Sequence, residues 1–341
     1  MSTSDEYNRY NLVQKILQKS TNNVCVDSMC AYEIRSIFER FLISYVTRSL
    51  ESSNTMFSNV SITNVESKKA IEELVEKKIL DNITAASHFF NVYVITPFNS
   101  FIDTKQKEVK GTAIVSVESI KFKDFEMFLS KDVMDKLRLF NKRDVVTMCL
   151  RYATMISGGQ QWSIPQVQYN YLYQEFKVRN EGFASPLNSK LMGKPGARFC
   201  SMFLDTDQVF GSIGNFFKVD LNNPPDRKSS FNGWVINPPF IENILLNSAN
   251  HCLDAAEFAN ANNQGLFIFY IMPAWYDCEA YVAMNKSPHV VHKEILRRKK
   301  YFYENNGKRI TASFESAVFV ISMYNDLPTR YSEICNNMKY N

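Results

Sequence analysis

Asn237, Pro238, Pro239 and Phe240 follow a short apolar run, Gly233 to Ile236, and precede a helical pattern that begins near Glu242. Two consecutive prolines donate no backbone N–H and hold φ near one value, so the turn is stiff and its carbonyls stay available as acceptors. An exocyclic aromatic amine is a poor nucleophile because its lone pair is delocalised into the ring. If the Asn237 side-chain oxygen and the Pro238 carbonyl accept its two hydrogens, the nitrogen becomes more pyramidal and its lone pair turns outward, ready to attack a methyl group. Phe240 adds a flat face on which a purine can stack, a contact worth about 1–3 kcal/mol per base. The four residues therefore read as the catalytic core of base N-methylation; the alternative is a proline turn that only ends a strand.

The elements needed to hold such a turn are present after Asn180. Gly182–Leu187, Phe199–Leu204, Gly233–Ile236, Gly265–Met272 and Ala312–Met323 read as strands alternating with helices. That pattern predicts an α/β domain with a mostly parallel sheet covered on both faces, which binds ligands at the carboxyl ends of its strands. Asn237, Ser185, Asp205 and Pro273 all fall at such ends. About twenty residues beyond the first strand stand Asp205 and Asp207, the separation at which an acidic residue accepts hydrogen bonds from ribose hydroxyls. The methyl donor that suits this arrangement is S-adenosylmethionine, with Ser185, Pro186 and Asn188 where a glycine-rich fingerprint would be expected. Asp205 and Asp207 could equally be loop or helix-cap carboxylates. Phe210-Gly211-Ser212-Ile213-Gly214 offers either close backbone approach to a ligand or a plain surface turn.

Lys293, Arg297, Arg298, Lys299, Lys300, Lys308 and Arg309 form the main basic cluster, with Tyr301, Phe302 and Tyr303 interleaved. Cations with aromatics suit single-stranded nucleic acid, whereas a charge run alone can be a solvated face. The segment lies between the last two predicted strands, where it can reach the cleft of Asn237.

Upstream, residues 5 to about 90 carry helical periodicity without a glycine. Asn91–Phe98 and Gly111–Ser119 read as strands, Lys131–Ile156 as a helix ending at Gly158-Gly159, and Ser163 with Gln166 as a capping box for a helix to about Lys177. The division expected is a mainly helical domain over 1–178, the α/β domain over 179–330 and a tail over 331–341. A chain of 341 residues with 45% apolar content can bury cores of that size, and a net charge of +4 makes any nucleic-acid site a local patch. Seven cysteines without paired CxxC spacing and four histidines argue against a zinc site or a disulfide framework. With neither a signal-like amino terminus nor a long apolar run, the chain is expected to be soluble and intracellular, nucleus and cytoplasm remaining open, with no membrane partner and no metal.

Several stretches together resemble the phosphorylated-CTD-interacting factor family of cap-specific adenosine N6-methyltransferases. They are Glu181 to Asn188, Phe199 to Asp207 with Phe210 to Gly214, and Asn237 to Glu242, in matching order and spacing; Leu150-Arg151-Tyr152 and Ile271 to Trp275 add to the likeness, which covers roughly residues 145 to 323. The resemblance implies a Rossmann-type methyltransferase domain preceded by a helical domain. It implies methyl transfer from S-adenosylmethionine to N6 of the 2′-O-methyladenosine next to the cap of mRNA. It would place the adenine on Asn237 to Phe240, line the cleft with Glu242, Pro273 and Trp275, bring Arg151 in from the helical side, and match His292 to a family histidine. The sequence departs from the family in carrying no recognisable WW module, so docking to the phosphorylated polymerase tail is not expected, and in being more basic over Arg297–Lys300. Capped RNA is the expected partner. The alternatives are an N6-adenine methyltransferase acting on internal RNA or DNA, and a catalytically silent RNA-binding subunit of the same fold.

Overall fold

The computed structural model describes residues 2–25, 27–53, 56–156, 161–223, 232–323 and 331–340. The chain divides into two compact units: residues 1–116, 120–127 and 141–157, and residues 117–119, 128–140 and 158–341.

The first unit is mainly helical. Helices α1 (Thr3–Val24), α2 (Ser28–Ser53), α3 (Val65–Glu76), α4 (Ile83–Phe90) and α5 (Thr96–Asp103) are followed by a small sheet, β1 (Ile114–Val115), β2 (Ser119–Phe122) and β3 (Phe125–Phe128). Ser2 caps α1 by accepting from the Asp5 amide at 3.1 Å. Asn91–Phe98, expected as a strand for its β-branched content, is helical instead. A π-turn over Asn91–Ile95 joins α4 to α5, and the Thr96 amide reaches back to the Asn91 carbonyl. Pro97 brings no N–H to the next turn, and a widened π-turn accommodates that gap better than an unbroken α-helix does.

The helix expected over Lys131–Ile156 is two: α6 (Lys131–Leu137), in the second unit, and α7 (Lys142–Thr154), in the first, which Asn141 caps by accepting from the Arg143 amide at 2.8 Å. Gly158 and Gly159 lie outside the described residues. Helix α8 (Gln166–Glu175) starts after Pro165, and the predicted capping box is not formed. Ser163 exchanges backbone hydrogen bonds with Glu304, at 2.9 and 2.8 Å, and so is held in a bridge instead. Helix α8 belongs to the second unit, although the sequence pattern assigns it to the helical domain.

The second unit is built on a mixed six-stranded sheet of β4 (Asn180–Glu181), β5 (Arg198–Phe199), β6 (Asn232–Ile236), β7 (Leu266–Pro273), β8 (Val290–Leu296) and β11 (Ser316–Ser322), in the order β5-β4-β6-β7-β11-β8. The first four run parallel, and β11 is antiparallel to both its neighbours. Helices α9 (Leu204–Asp207), α10 (Glu242–Ala261) and α11 (Glu279–Lys286), and the hairpin of β9 (Phe302–Asn305) and β10 (Lys308–Thr311), complete the unit. All eight residues of β7 are buried, as a strand covered on both faces requires. Trp234, Ile236, Ile268 and Tyr270 pack in one apolar cluster and Val235, Phe267, Phe269 and Ile271 in another, so the alternating side chains feed two cores.

Two predicted strands shift. Gly182–Leu187 is a turn after β4; its first residue is tightly packed, since a Cβ on Gly182 would lie 2.5 Å from Ile236 Cδ1 and 2.9 Å from the Phe216 ring, so a larger residue there would have to displace those side chains. Phe199–Leu204 yields only the end of β5 before α9 begins, so Asp205 and Asp207 sit on a helical turn.

Candidate active site

From β4 the chain passes to β5 on one side, and β6 then pairs on the other, so the sheet has a switch point between β4 and β6. In sheets of this kind the carboxyl ends of the strands at the switch point are the usual ligand position. Residues 182–188 leave β4 and Asn237–Phe240 leave β6 at that place.

Asn237 is half-buried, and its Nδ2 donates to the Trp162 carbonyl at 3.1 Å. Its Oδ1 is buried, with no hydrogen-bond partner. An orphaned buried acceptor costs about 1–3 kcal/mol, so it marks a place where a ligand donor repays the fold. The Pro239 carbonyl accepts from the Ile241 amide at 2.8 Å, whereas no backbone N–H among the described residues meets the Pro238 carbonyl. Phe240 is half-buried beside Phe314 (ring centroids 5.5 Å, interplanar 86°) and Tyr303 (6.3 Å, 71°). Trp162 stacks on Phe314 at 6.4 Å and 14°. Phe240, Phe314, Tyr303 and Trp162 therefore form one aromatic cluster around the turn.

Residues 161–163 reach several parts of the site. Gln161 Oε1 accepts from the Ser185 hydroxyl at 2.7 Å, Trp162 holds Asn237, and Ser163 bridges to β9. Ser185 is buried; its amide donates to Asn188 Oδ1 at 2.7 Å, and Pro186 is buried beside it, so Ser185 to Asn188 form a closed turn. Beneath that turn lies Glu181, fully buried at the end of β4. It accepts from the Tyr169 hydroxyl (2.6 Å), the Ser189 hydroxyl (2.8 Å) and the Lys190 amide (3.1 Å). Burial raises the Glu181 pKa, and these hydrogen bonds oppose the rise. Lys190 pairs with Glu304 of β9 at 2.7 Å.

The carboxylates expected at the ribose differ in setting. Asp205 is exposed, while Asp207 is 0% exposed and accepts from the Thr206 hydroxyl at 2.9 Å. Phe210 is also buried, its ring 4.7 Å from that of Phe140, so it supports the loop from beneath and offers no surface to a cofactor. Gly211 and Gly214 adopt φ of +99° and +106°, a region that favours glycine, and the segment between them lies along β5, with the Ile213 amide donating to the Phe199 carbonyl at 2.9 Å.

Pro273 is buried at the end of β7, followed by Trp275 and Tyr276, 39% and 54% exposed. The Tyr276 hydroxyl donates to Glu315 at 2.9 Å, a bond that raises its pKa. Glu242 is exposed at the start of α10.

The basic cluster is divided. Arg297 to Lys300 form an exposed turn beyond the carboxyl end of β8, with Lys299 at φ +62°. Lys308 and Arg309 are exposed on β10, and Arg309 lies 4.5 Å from the Phe302 ring centroid. Lys293 is engaged by Asn285 at 2.5 Å and by the Tyr281 ring. Tyr301, Phe302 and Tyr303 are buried, so the expected stacking of bases on the interleaved aromatics is not available: these rings pack the hairpin onto the sheet.

Two further expectations meet a different arrangement. Arg151 is 1% exposed, and its guanidinium holds Glu6 through Nε at 2.7 Å and Nη2 at 2.8 Å within the first unit, so it serves that unit's interior. His292 lies on β8 beside Tyr331, in register with Val320. Three strand spacings separate β8 from β6, about 14 Å sideways, so His292 stands apart from Asn237.

Trp162, Phe314 and Gln161 belong to the site's surroundings although the sequence singles out none of them, and Glu181, named only as the start of a family-like stretch, joins them. No local signal links Trp162 to an asparagine 75 positions away. Among the described residues there is no group of three or more His, Cys, Asp or Glu side chains placed to hold a metal, and no helix long and apolar enough to cross a membrane.

The mixed, mostly parallel sheet and the helices packed on it define an α/β protein, with an unpartnered acceptor and several aromatic rings close to its switch point. Residues 123–306, more than half of the chain, match the family described as "Phosphorylated CTD interacting factor 1 WW domain", and the chain belongs to that family. The family's description names a WW domain, so the match does not bear out the expectation that a WW module is missing. Among curated proteins, the chain is 26% identical over 216 residues to the mouse (Mus musculus) mRNA (2'-O-methyladenosine-N(6)-)-methyltransferase, covering 57% of this chain and 28% of that protein. It is 28% identical over 154 residues to the human (Homo sapiens) protein of the same name, covering 45% and 20%. The chain thus spans about a quarter of the length of the curated relatives it matches.

Proposed function

We propose that the second unit is a Rossmann-type methyltransferase domain that transfers a methyl group to N6 of the adenosine next to the cap of mRNA. The observation that carries this reading is the Asn237 carboxamide, held through Nδ2 by Trp162 with Oδ1 left buried and unpartnered, followed by a Pro238 carbonyl that no backbone N–H among the described residues meets. Two unmet acceptors on consecutive residues suit the two hydrogens of an amino group and repel the lone pairs of a carbonyl, which favours adenine over a 6-oxopurine at this turn. Phe240 supplies the ring for stacking, and the exposed Trp275 offers a second flat surface at the neighbouring strand end.

S-adenosylmethionine, when bound, supplies an electrophilic methyl on a sulfonium. The residues present fit it: the turn from Ser185 to Asn188 lies over the end of β4, and Asp205 is the exposed carboxylate able to receive ribose hydroxyls. Asn237 and Pro238 orient the amino group, and Phe240 with its aromatic neighbours excludes water from one side. The turn carries no titratable side chain, so the proton lost from N6 leaves to solvent. A cap-adjacent nucleotide is unstacked on one side, which makes its extrusion cheaper than flipping a base inside a duplex. Arg297 to Lys300 suit the phosphates, and no docking to the polymerase tail through a WW module is needed for the transfer itself.

The test is mass spectrometry of nucleosides from capped, adenosine-initiated RNA incubated with the protein and S-adenosylmethionine. N6-methylation confined to the cap-adjacent adenosine is expected. Equal transfer to an uncapped adenosine-initiated RNA would assign the internal-adenine activity instead, and no transfer to any adenine would leave a silent binding subunit.

A further inference from the structure

A second cationic surface lies away from the Arg297–Lys300 turn. Between Tyr173 and Phe199 the chain carries five cations, Lys177, Arg179, Lys190, Lys194 and Arg198, against two carboxylates, Glu175 and Glu181, and Glu181 is buried. Arg179 precedes β4, and Lys194 lies on the loop entering β5. Arg179 Cζ stands 3.6 Å from the Tyr173 ring centroid and Lys194 Nζ 4.8 Å from the same centroid. Two like charges on one ring lie within a Debye length, about 10 Å at 0.1 M salt, and repel. Burial and the Arg179 charge lower the Lys194 pKa. Among the described residues no carboxylate pairs with Arg179, Lys194 or Lys177. Fixing unneutralised cations side by side costs free energy that a polyanion returns.

Gly193 and Gly196, at φ +85° and +68°, flank Lys194-Pro195, and nothing lies within 4 Å of where their Cβ atoms would stand, so the loop is open on that side. The Tyr173 face is taken up by cations and its hydroxyl donates to the Pro195 carbonyl at 3.0 Å, so the ring cannot serve a base. The surface is therefore suited to phosphates and indifferent to sequence. Lys194 follows Asn188 by six residues, which places it within about 20 Å of the candidate cofactor turn.

We propose that Lys177, Arg179 and Lys194 grip the phosphate backbone of the RNA downstream of the modified nucleotide. This rests on the methyltransferase reading for the identity of the polyanion.

Binding and methyl transfer are compared for capped RNAs of about four and about twenty nucleotides over a salt series, in the full chain and in Lys194→Glu and Lys177→Ala/Lys194→Ala variants whose melting temperatures match the parent. Expected is a loss of about tenfold or more in affinity for the longer RNA. The slope of log K against log salt should fall by about 1.4, two phosphate contacts on single-stranded RNA, with unchanged transfer to the short RNA and recovery in Lys194→Arg. A parent-like slope and affinity in both variants overturns the proposal, as does loss of binding to a doubly phosphorylated peptide with RNA binding intact. Absence of transfer to the short RNA by the parent would count against the methyltransferase reading, while the binding series would still decide this surface.

Discussion

Asn237 gives its Nδ2 hydrogen to the Trp162 carbonyl, 3.1 Å away, and this single bond decides that Oδ1 is the end of the carboxamide left without a partner. Asn237→Ala removes the acceptor and should lower kcat by about 10²-fold, the cost of one well-placed hydrogen bond at about 1.5–3 kcal/mol. Asn237→Asp keeps an acceptor but sets an oxygen against the Trp162 carbonyl, and should fail to restore activity. Recovery by aspartate in a methyl-transfer assay would mean that Trp162 does not orient the site.

Phe240 meets Phe314 and Tyr303 through edge-on contacts, and we expect Phe240→Ala to raise KM and lower kcat together. The loss in kcat/KM should correspond to about 1–3 kcal/mol, one base stack. Steady-state kinetics on capped RNA would show it, and Phe240→Tyr should retain most activity.

The two aspartates should separate. Asp205→Ala, at an exposed position, should weaken cofactor affinity in calorimetry with little change in melting temperature. Asp207→Ala should act on stability, by about 1–3 kcal/mol, because it removes a fully buried side chain and the shorter of the two hydrogen bonds of the Thr206 hydroxyl, whose other acceptor is the Phe203 carbonyl at 3.3 Å.

Arg151 and Glu6 form a buried pair, and removing one partner strands the other charge. Arg151→Met or Glu6→Gln should cost about 3–5 kcal/mol in urea unfolding of the first unit. Variant protein that stays folded should bind capped RNA as the parent does. Weakened binding without loss of stability would restore Arg151 to the substrate site.

Glu181 should leave a mark on the pH dependence of stability. Its folded pKa lies above the unfolded value of about 4.3, so the native state holds the proton more tightly. The stability from this group is complete below the unfolded pKa and falls as pH rises through the folded one. Urea titrations should show this decline in the parent and its absence in Glu181→Gln.

The central strands are legible in the sequence because burial on both faces leaves unbroken apolar runs, as in Trp234–Ile236 and Leu266–Met272. The turn after β6 is legible because its chemistry is local to four residues. Strand β4 is not: only Asn180 and Glu181 pair, both polar, and the apolar composition beyond them belongs to a packed turn. Pro97 redirects a β-branched segment into helix. The partners of the site, Trp162, Phe314 and Gln161, reach it through tertiary contacts that no periodicity records. Asp207 and Phe210 have the right types at the right separation, yet their burial depends on packing that spacing alone does not encode.

Strand β11 fills the slot between β7 and β8, hydrogen-bonded to each. Until its last residues leave the ribosome, β8 has no neighbour to pair with and the far half of the sheet has no closing piece. Non-local pairing of this kind is slow and exposes unpaired edges. The nascent protein thus waits on a seven-residue keystone, and a chain halted shortly before Ser316 would emerge with two raw edges inviting aggregation.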